Sequence, residues 1–415
     1  MPLFSIPLSG LDAQSNALSV IANNLANLNT DGYKDEQTSF RDLFYQTVGA
    51  TGGGNPIQIG NGSGVETVSS NFNDGSLDNT GVPTDMAITG DGFFVTQQNG
   101  VPQYTRAGNF TVSKDGVLTT QDGQTVLGYP AVGGVVNTGA ALGALQLGSG
   151  LTSPASATSS VTLNCNLNAD ANAGDPPFNS PVTVYDSLGQ PHVLSFQFTK
   201  TGANAWSYQV TIPAADTGST SSSPTVIAGP SPLVFDTNGK LTTPASNVTG
   251  ITVTGLADGA SDLNFSWNLY DSSGVPTVTQ MAADSTTAST NQNGYASGTL
   301  QEFNVDSSGT LQGTFSNGKV MALGQLAIAS FANEQGLERA GSNVYTPTLS
   351  SGAAVVGTSG SGGRGVVTGG SLELSNVDVA TEFAKMIVAQ RGYEANAKVV
   401  TTFDTISQDT IGLIR

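Results

Sequence analysis

A single cysteine, Cys165, rules out an intrachain disulfide, so the fold must stand without covalent staples. No base or cation lies beside it in sequence, and a small packed side chain is expected rather than a nucleophile. A single histidine, His192, excludes a histidine-rich metal centre and any paired-imidazole mechanism, leaving a polar residue at a strand edge. Basic side chains are scarce: 13 lysines and arginines face 31 aspartates and glutamates, for a formal charge of -18 and a pI near 4.1. Such a surface repels nucleic acid, and the excess acid serves solubility. No run reaches the ~18 consecutive apolar residues of a membrane span. Asp12 is the one charged side chain before Asp31, so the basic start of a secretory leader is missing, and Asn23, Asn24, Asn27 and Asn29 interrupt the apolar stretch.

What is present is glycine, 52 of 415 residues, with only 11% charged side chains, a balance suited to loop-rich β domains. The length implies two to four such units. The two ends differ from this background. Leu11, Leu18 and Leu25 recur every seven positions, flanked by a second row of Ile21 and Leu28. The far end carries Phe383, Met386, Ile387, Tyr393, Ala397, Val400, Phe403, Ile406, Ile411 and Ile414 on one helical face over about ten turns. The first helix is expected to begin after Pro7 with Ser9 as its cap and to stop at Gly32.

Between the helices the pattern is strands and turns. Residues 33–70 read as an extended arm with a mobile tip, and 350–371 as a Gly/Ser linker. Short apolar runs at Met86–Thr96, Val101–Thr105, Phe110–Val112, Val117–Thr119 and Thr125–Tyr129 are punctuated by Asp-Gly and Asn-Gly, the marks of a hairpin domain over 71–147 and 296–349. Residues 148–295 form a second β domain, where Trp206, Tyr208, Val210 and Ile212, then Leu263, Phe265, Trp267 and Leu269, alternate with polar neighbours. Asp186, Asp236, Asp271 and Asp306 each precede a glycine by three positions, which predicts hairpin turns rather than calcium loops, since the further carboxylates of such loops are missing. The expected fold is multi-domain and mainly β, the second β domain inserted in the first, plus a coiled-coil-like helical domain made by 1–32 and 372–415.

Chemical motifs are weak. Gly360-Ser-Gly-Gly-Arg-Gly365 has dinucleotide-loop spacing but opens no helix, so it reads as linker. Most acids fall in turn signatures, which makes a carboxylate-pair enzyme the minority reading, and no cofactor is expected. A helix of the first segment's length is marginal alone in water. Its stripe needs a partner, and an exposed stripe at each end of one chain suits head-to-tail association, with an internal helical hairpin as the competing arrangement. A secreted β adhesin or carbohydrate binder is the rival from another class.

Three segments carry a resemblance. Ala22-Asn-Asn-Leu-Ala-Asn-Leu-Asn-Thr-Asp-Gly-Tyr-Lys34 resembles the N-terminal signature of bacterial flagellar rod and hook proteins, with Asn23, Asn24, Asn27, Asn29, Gly32 and Tyr33 as its motif residues. Ser375-Asn-Val-Asp-Val-Ala, continued through Met386 to Lys398 with Gln390, Arg391 and Asn396, is similar to their C-terminal one, and Ile88–Phe94 with Tyr104–Phe110 to their first β domain. The 148–295 insertion and the Tyr185–Gly189 hairpin favour a hook-type member over a distal rod subunit. The resemblance implies a non-enzymatic helical homopolymer, terminal helices lining a tube, β domains outside, acting as a flexible joint. It also implies contacts with rod, hook-cap and hook-filament junction proteins and export through the flagellar type III apparatus without a cleaved signal peptide, to an extracellular place in the flagellum. Neither nucleic acid nor membrane insertion is expected.

Overall fold

The computed structural model describes residues 4–148 and 150–413, and Ile414 lies outside them. The chain forms two compact units: Met1–Ser149 with Glu302–Gly313 and Val320–Arg415, and Gly150–Gln301 with Thr314–Lys319.

In the first unit the two ends are helical: α1 spans Ser5–Ala26 and α2 spans Val379–Leu413. Helix α1 starts earlier than Ser9. Pro7 sits in the first turn, where a missing N–H loses no intrahelical bond, and Ser9 Oγ donates to the Ile6 carbonyl at 2.7 Å instead of capping. It also stops sooner, at Ala26, where the Asn27 N–H donates to the Asn23 and Asn24 carbonyls. Gly32 comes later and turns the chain with a φ of +67°. At the start of α2, Asp378 Oδ1 accepts the Thr381 N–H at 2.7 Å, an N-terminal cap.

The helices pair with each other, antiparallel, within the chain. Phe4 meets Phe403 edge-on at 6.1 Å, Gly10 lies under Asn396, and Gln14 lies against Gly392. Ala17, Ile21 and Ala389 make the buried centre, with Leu18, Leu25 and Met386 around it. The expected leucine row is therefore the flank of the seam: small residues occupy its middle and let the backbones approach closely, while Leu11, Leu18 and Leu25 are half-buried. The two stripes thus meet within one chain, in the internal hairpin that competed with association between copies.

The arm is two ribbons. Strand β1 (Glu36–Asp42) pairs antiparallel with β4 (Ser63–Ser70), and β2 (Gln46–Ala50) with β3 (Pro56–Ile59). Residues 350–371 are no free linker. Val355–Gly357 pairs with Ile328–Ser330, Val366–Gly369 pairs with Met86–Thr89, and Val367 is fully buried in the core. The Gly360–Gly365 segment closes as a turn, the Gly360 N–H donating to the Gly365 carbonyl at 2.9 Å.

The expected Met86–Thr96 run breaks at Gly90–Gly92 into Met86–Thr89 and Phe93–Gln98. The latter is buried on both faces: Phe94 packs with Ile88, Phe110 and Ile328, while Phe93 and Val95 pack with Tyr104, Tyr129 and Tyr345. Four successive buried side chains mark a central strand rather than a half-wet one.

The second unit is a sandwich of two five-stranded sheets. One is an antiparallel meander from Phe178–Tyr185 to Leu241–Thr243; the other is built around Ser160–Asn168, which pairs in parallel with Leu263–Asn268 and Val278–Met281 and antiparallel with Thr286–Gln292. All the expected alternating side chains point inward, with Trp267 ringed by Phe196, Phe198 and Tyr208 at 5.0 to 6.1 Å. Thr211, expected on the wet face, is buried as well.

Cys165 lies in the same core, and burial pushes its thiol up to about 12. The native chain should therefore leave a thiol-reactive disulfide reagent unconsumed at pH 8 and consume one equivalent in denaturant. Rapid native labelling would contradict the buried placement.

The Asp-x-x-Gly turns form as the residues require. Oδ1 of Asp186, Asp236 and Asp271 accepts the N–H groups two and four positions on at 2.8 to 2.9 Å, and Asp306 does the same at 2.9 and 3.0 Å. Each following glycine has φ between +74° and +86°.

Candidate functional site: the helix-to-sheet junction

In the first unit the N-terminal motif is a fastening. Asn24 is fully buried on α1 and spends its amide on four bonds. Its Nδ2 donates to the Glu36 carbonyl at 2.8 Å and to Glu382 Oε2 on α2 at 3.2 Å; its Oδ1 accepts the Glu36 N–H at 3.0 Å and the Tyr33 hydroxyl at 3.1 Å. One side chain thus ties α1, α2, the first residue of β1 and Tyr33 together. Asn23 Nδ2 donates to the same tyrosine oxygen at 3.1 Å, and Asn27 accepts from Thr30 within the turn at 3.1 Å. Gly32 is required by its φ and by space, since a Cβ would sit 2.7 Å from the Ala107 nitrogen. Asn29, by contrast, is exposed.

Beneath this lies a buried ionic group. Lys34 Nζ meets Glu373 Oε1 at 2.6 Å and donates to the Asn73 carbonyl at 2.7 Å; both charged side chains are 1% exposed. Arg106, also buried, pairs with Asp74 at 2.6 Å and donates to the Gly90 and Gly92 carbonyls at 2.8 and 2.9 Å. Its Nε lies 3.4 Å from Glu373 Oε2, an ion-pair distance without a hydrogen bond. Two cations and two carboxylates balance, which makes the burial tolerable. Burial and the Arg106 charge push the Lys34 ammonium below its ordinary value, and Glu373 pulls it back up. Asn376 adds a clasp, accepting the Asp35 N–H at 2.7 Å and donating to the Asn71 and Asn73 carbonyls at 2.8 and 3.0 Å. Arg339 pairs with Glu36 at 3.1 Å and lies over the Tyr33 ring at 5.2 Å. The junction thus couples the terminal helices to the sheet through buried hydrogen bonds and ion pairs.

The expected interface residues divide. Ile21 is buried in the hairpin seam, while Leu11, Leu18, Leu25, Leu28, Met386, Ala397, Val400 and Phe403 are half-buried. Phe383, Ile387, Tyr393 and Ile406 remain exposed, as do Gln390 and Arg391. Asn396 Nδ2 donates back to the Gly392 carbonyl at 2.9 Å within α2. An apolar groove of about 580 Å³ runs beside the seam, lined by Ala17 and Val20 of α1, Phe40 of β1, and Ala384 and Val388 of α2. Sequence reasoning assigned no role to Lys34, Arg106, Glu373 or Glu382. Two of these stood inside quoted motifs, and scarce cations within such motifs in an acidic chain were the available sign.

The chain matches four family models: Flagella basal body rod protein over residues 6–34, Flagellar hook protein FlgE/F/G D1 domain over 87–166, Flagellar basal body protein FlaE D2 domain over 162–295, and Flagellar basal body rod FlgEFG protein C-terminal over 368–413. Together they define a rod-and-hook class of flagellar axial protein. Flagellar hook protein FlgE of Treponema pallidum is 35% identical over 456 residues, covering 98% of each chain, and that of Salmonella typhimurium 35% over 428 residues, covering 99% of each. The Escherichia coli protein of the same name is 34% identical over 426 residues. A crystal structure of Helicobacter pylori flagellar hook protein FlgE2 aligns with a TM-score of 0.48 at 16% identity, over 70% of this chain and 98% of that one. The chain belongs to the flagellar hook protein FlgE family.

Proposed function

We propose that many copies of this hook subunit assemble into a helical tube, with the terminal helices forming its inner wall and the β domains its outer layers. The observation that carries the proposal is the apolar surface left on α2 after it has paired with α1. Phe383, Ile387, Tyr393 and Ile406 are 52, 51, 42 and 54% exposed. With 35 residues against 22, α2 also runs about 20 Å past its partner. A helix face of that kind marks an interaction site. The groove between α1, β1 and α2 takes the α2 stripe of a neighbouring copy, and contact between two different patches extends head to tail until a cap ends it. Phe44, Tyr45, Val48, Ile57 and Ile59 at the β2–β3 end add a second exposed apolar patch.

The tube works as a flexible joint. Val355–Gly357 and Val366–Gly369 are each held by a neighbouring strand, and sliding falls to polar contacts between copies, where water replaces a broken hydrogen bond at low cost. Rod proteins meet one end of the tube, and hook-cap and hook-filament junction proteins the other. Type III export delivers the subunits to this extracellular place.

The Phe383→Asp/Ile387→Asp double variant tests the assembly surface. Each buried apolar side chain contributes ~1.5–3 kcal/mol, so losing two raises the concentration needed for assembly by ~100-fold or more. Monomer circular dichroism should stay unchanged, tubes should vanish from micrographs after salting-out, and Val132→Asp, at a site 83% exposed, should assemble normally. Tubes from the double variant at the ordinary concentration would end the proposal.

A further inference from the structure

The histidine expected at a strand edge lies instead at one end of the second unit's sandwich, on Pro191–Gly202, the second strand of its sheet. His192 is 7% exposed, and both ring nitrogens face carboxylates. Nε2 is 3.2 Å from Asp186 Oδ2, Nδ1 is 3.1 Å from Asp216 Oδ2, and Asp258 Oδ2 stands 3.8 Å from Nε2. These three carboxylates are the ion-pair partners of the ring among the described residues. Asp262, in the same loop as Asp258, turns instead to the Gly255 N–H at 3.3 Å.

A carboxylate only accepts. An imidazole with a carboxylate at hydrogen-bond distance from each nitrogen is satisfied when both nitrogens carry a proton. The three carboxylates come from three separate connections. Asp186 opens the turn between Phe178–Tyr185 and Pro191–Gly202, Asp216 lies in the short 3-10 turn Ala214–Thr217, and Asp258 lies in the loop between Val248–Val253 and Leu263–Asn268. These loops otherwise touch through few bonds: the Ala257 N–H donates to the Asp216 carbonyl at 2.9 Å, and the Ser261 N–H to Ser187 Oγ at 3.0 Å. Asp186 Oδ1 is committed to the Leu188 and Gln190 N–H groups, so its Oδ2 is left for the ring.

We propose that His192 is a doubly hydrogen-bonded imidazolium clasp that holds three loops together at one end of the outer β domain and releases them when it loses its proton. The surface those loops present is then set by external pH. On deprotonation one nitrogen becomes a lone pair facing an anion, and attraction turns to repulsion. Burial alone would lower the histidine's proton affinity, but hydrogen bonds to Asp186 and Asp216 outweigh it and raise the value above the ordinary 6.5. With the folded value raised, the clasp's contribution is complete below the unfolded value and fades as pH climbs through the folded one. On the acid side Asp186 sets the limit. Burial would raise its carboxyl, yet the Gln190 amide, the His192 ring and the Leu188 amide, all donating to it, hold it below 3.8, so its share is lost only as pH falls through that lowered value.

Because His192 is the chain's one histidine, ring-nitrogen NMR of full-length, histidine-labelled monomer reads this group alone. The ring should titrate with a single midpoint above the ordinary 6.5, both nitrogens carrying protons below that midpoint. Hydrogen exchange of residues 186–190, 214–218 and 255–262, corrected for intrinsic rates, should accelerate through the same midpoint, by up to about tenfold for each pKa unit of the shift. Asp216→Asn should lower the midpoint, and His192→Gln should abolish the pH step in exchange while the sandwich strands stay protected. A midpoint at or below 6.5, or loop protection indifferent to the titration, would overturn the clasp. Displacement of the ring protons by micromolar zinc at pH 7 would also overturn it, making the cluster a metal site.

Discussion

Glu373→Gln is expected to destabilise the first unit by about 3–5 kcal/mol, the range for breaking a buried ion pair by removing one partner. The shape of the side chain is conserved and only its charge is lost. Lys34 and Arg106 are then left with Asp74 as the remaining carboxylate, and whichever way the amide turns its N–H₂ faces a cation: Arg106 Nε if the oxygen stays on Lys34, the Lys34 ammonium if it does not. The Gly75 N–H, which donates to the same carboxylate oxygen at 2.9 Å, is disturbed too. Urea unfolding followed by a probe in each unit should show the loss in the first unit and leave the second, with its separate core, in place. Most of a typical domain's margin is of this size, so hooks should be few or absent in cells carrying the variant. An unchanged midpoint would mean that the ionic group under the junction contributes nothing.

Asn24→Ala is the second large effect, about 3 kcal/mol. It leaves the Glu36 N–H and carbonyl and the Glu382 carboxylate each short of a partner, at ~1–3 kcal/mol for a buried unsatisfied group, partly recovered where water enters. Its signature is positional. Hydrogen exchange should quicken in α1 and at the start of α2, while the sheet around Phe94 and Ile328 stays protected. Asn29→Ala, on an exposed motif residue, should change stability by no more than about 0.5 kcal/mol. Equal effects from the two asparagines would refute the distinction drawn between a fastening and a surface residue. A subunit with loosened helices still has its apolar stripe, so tubes should still form from Asn24→Ala.

The strands of both units were legible because each half-buried strand repeats its burial every two residues, as Trp206 to Ile212 and Leu263 to Leu269 do. The Asp-x-x-Gly turns were legible because their bonds are local. Phe93–Gln98 was misread as part of a longer run because a central strand buries both faces and carries no alternation. The 350–371 segment was misread for a related reason. Its glycines and serines give a linker's composition, yet three-residue and four-residue strands find partners about 30 and 280 residues upstream, and pairing at that separation leaves no local pattern. The leucine row drew attention by its hydrophobicity, whereas the seam belongs to Gly10, Ala13, Ala17 and Ala389, whose value lies in being small.

The sequence by itself determined the class of fold, the helical ends with their surplus of apolar surface, the turn chemistry and the family, because these rest on periodicity, short-range hydrogen bonding and motif order. Only the tertiary structure decided that Asn24 fastens four elements, that Lys34 and Arg106 share a buried carboxylate more than 260 residues away, and that the lone histidine is held among three aspartates. Charges pair in the interior according to which strands the fold brings side by side, and the physical reason this escapes the sequence is that no local rule encodes a contact between distant segments.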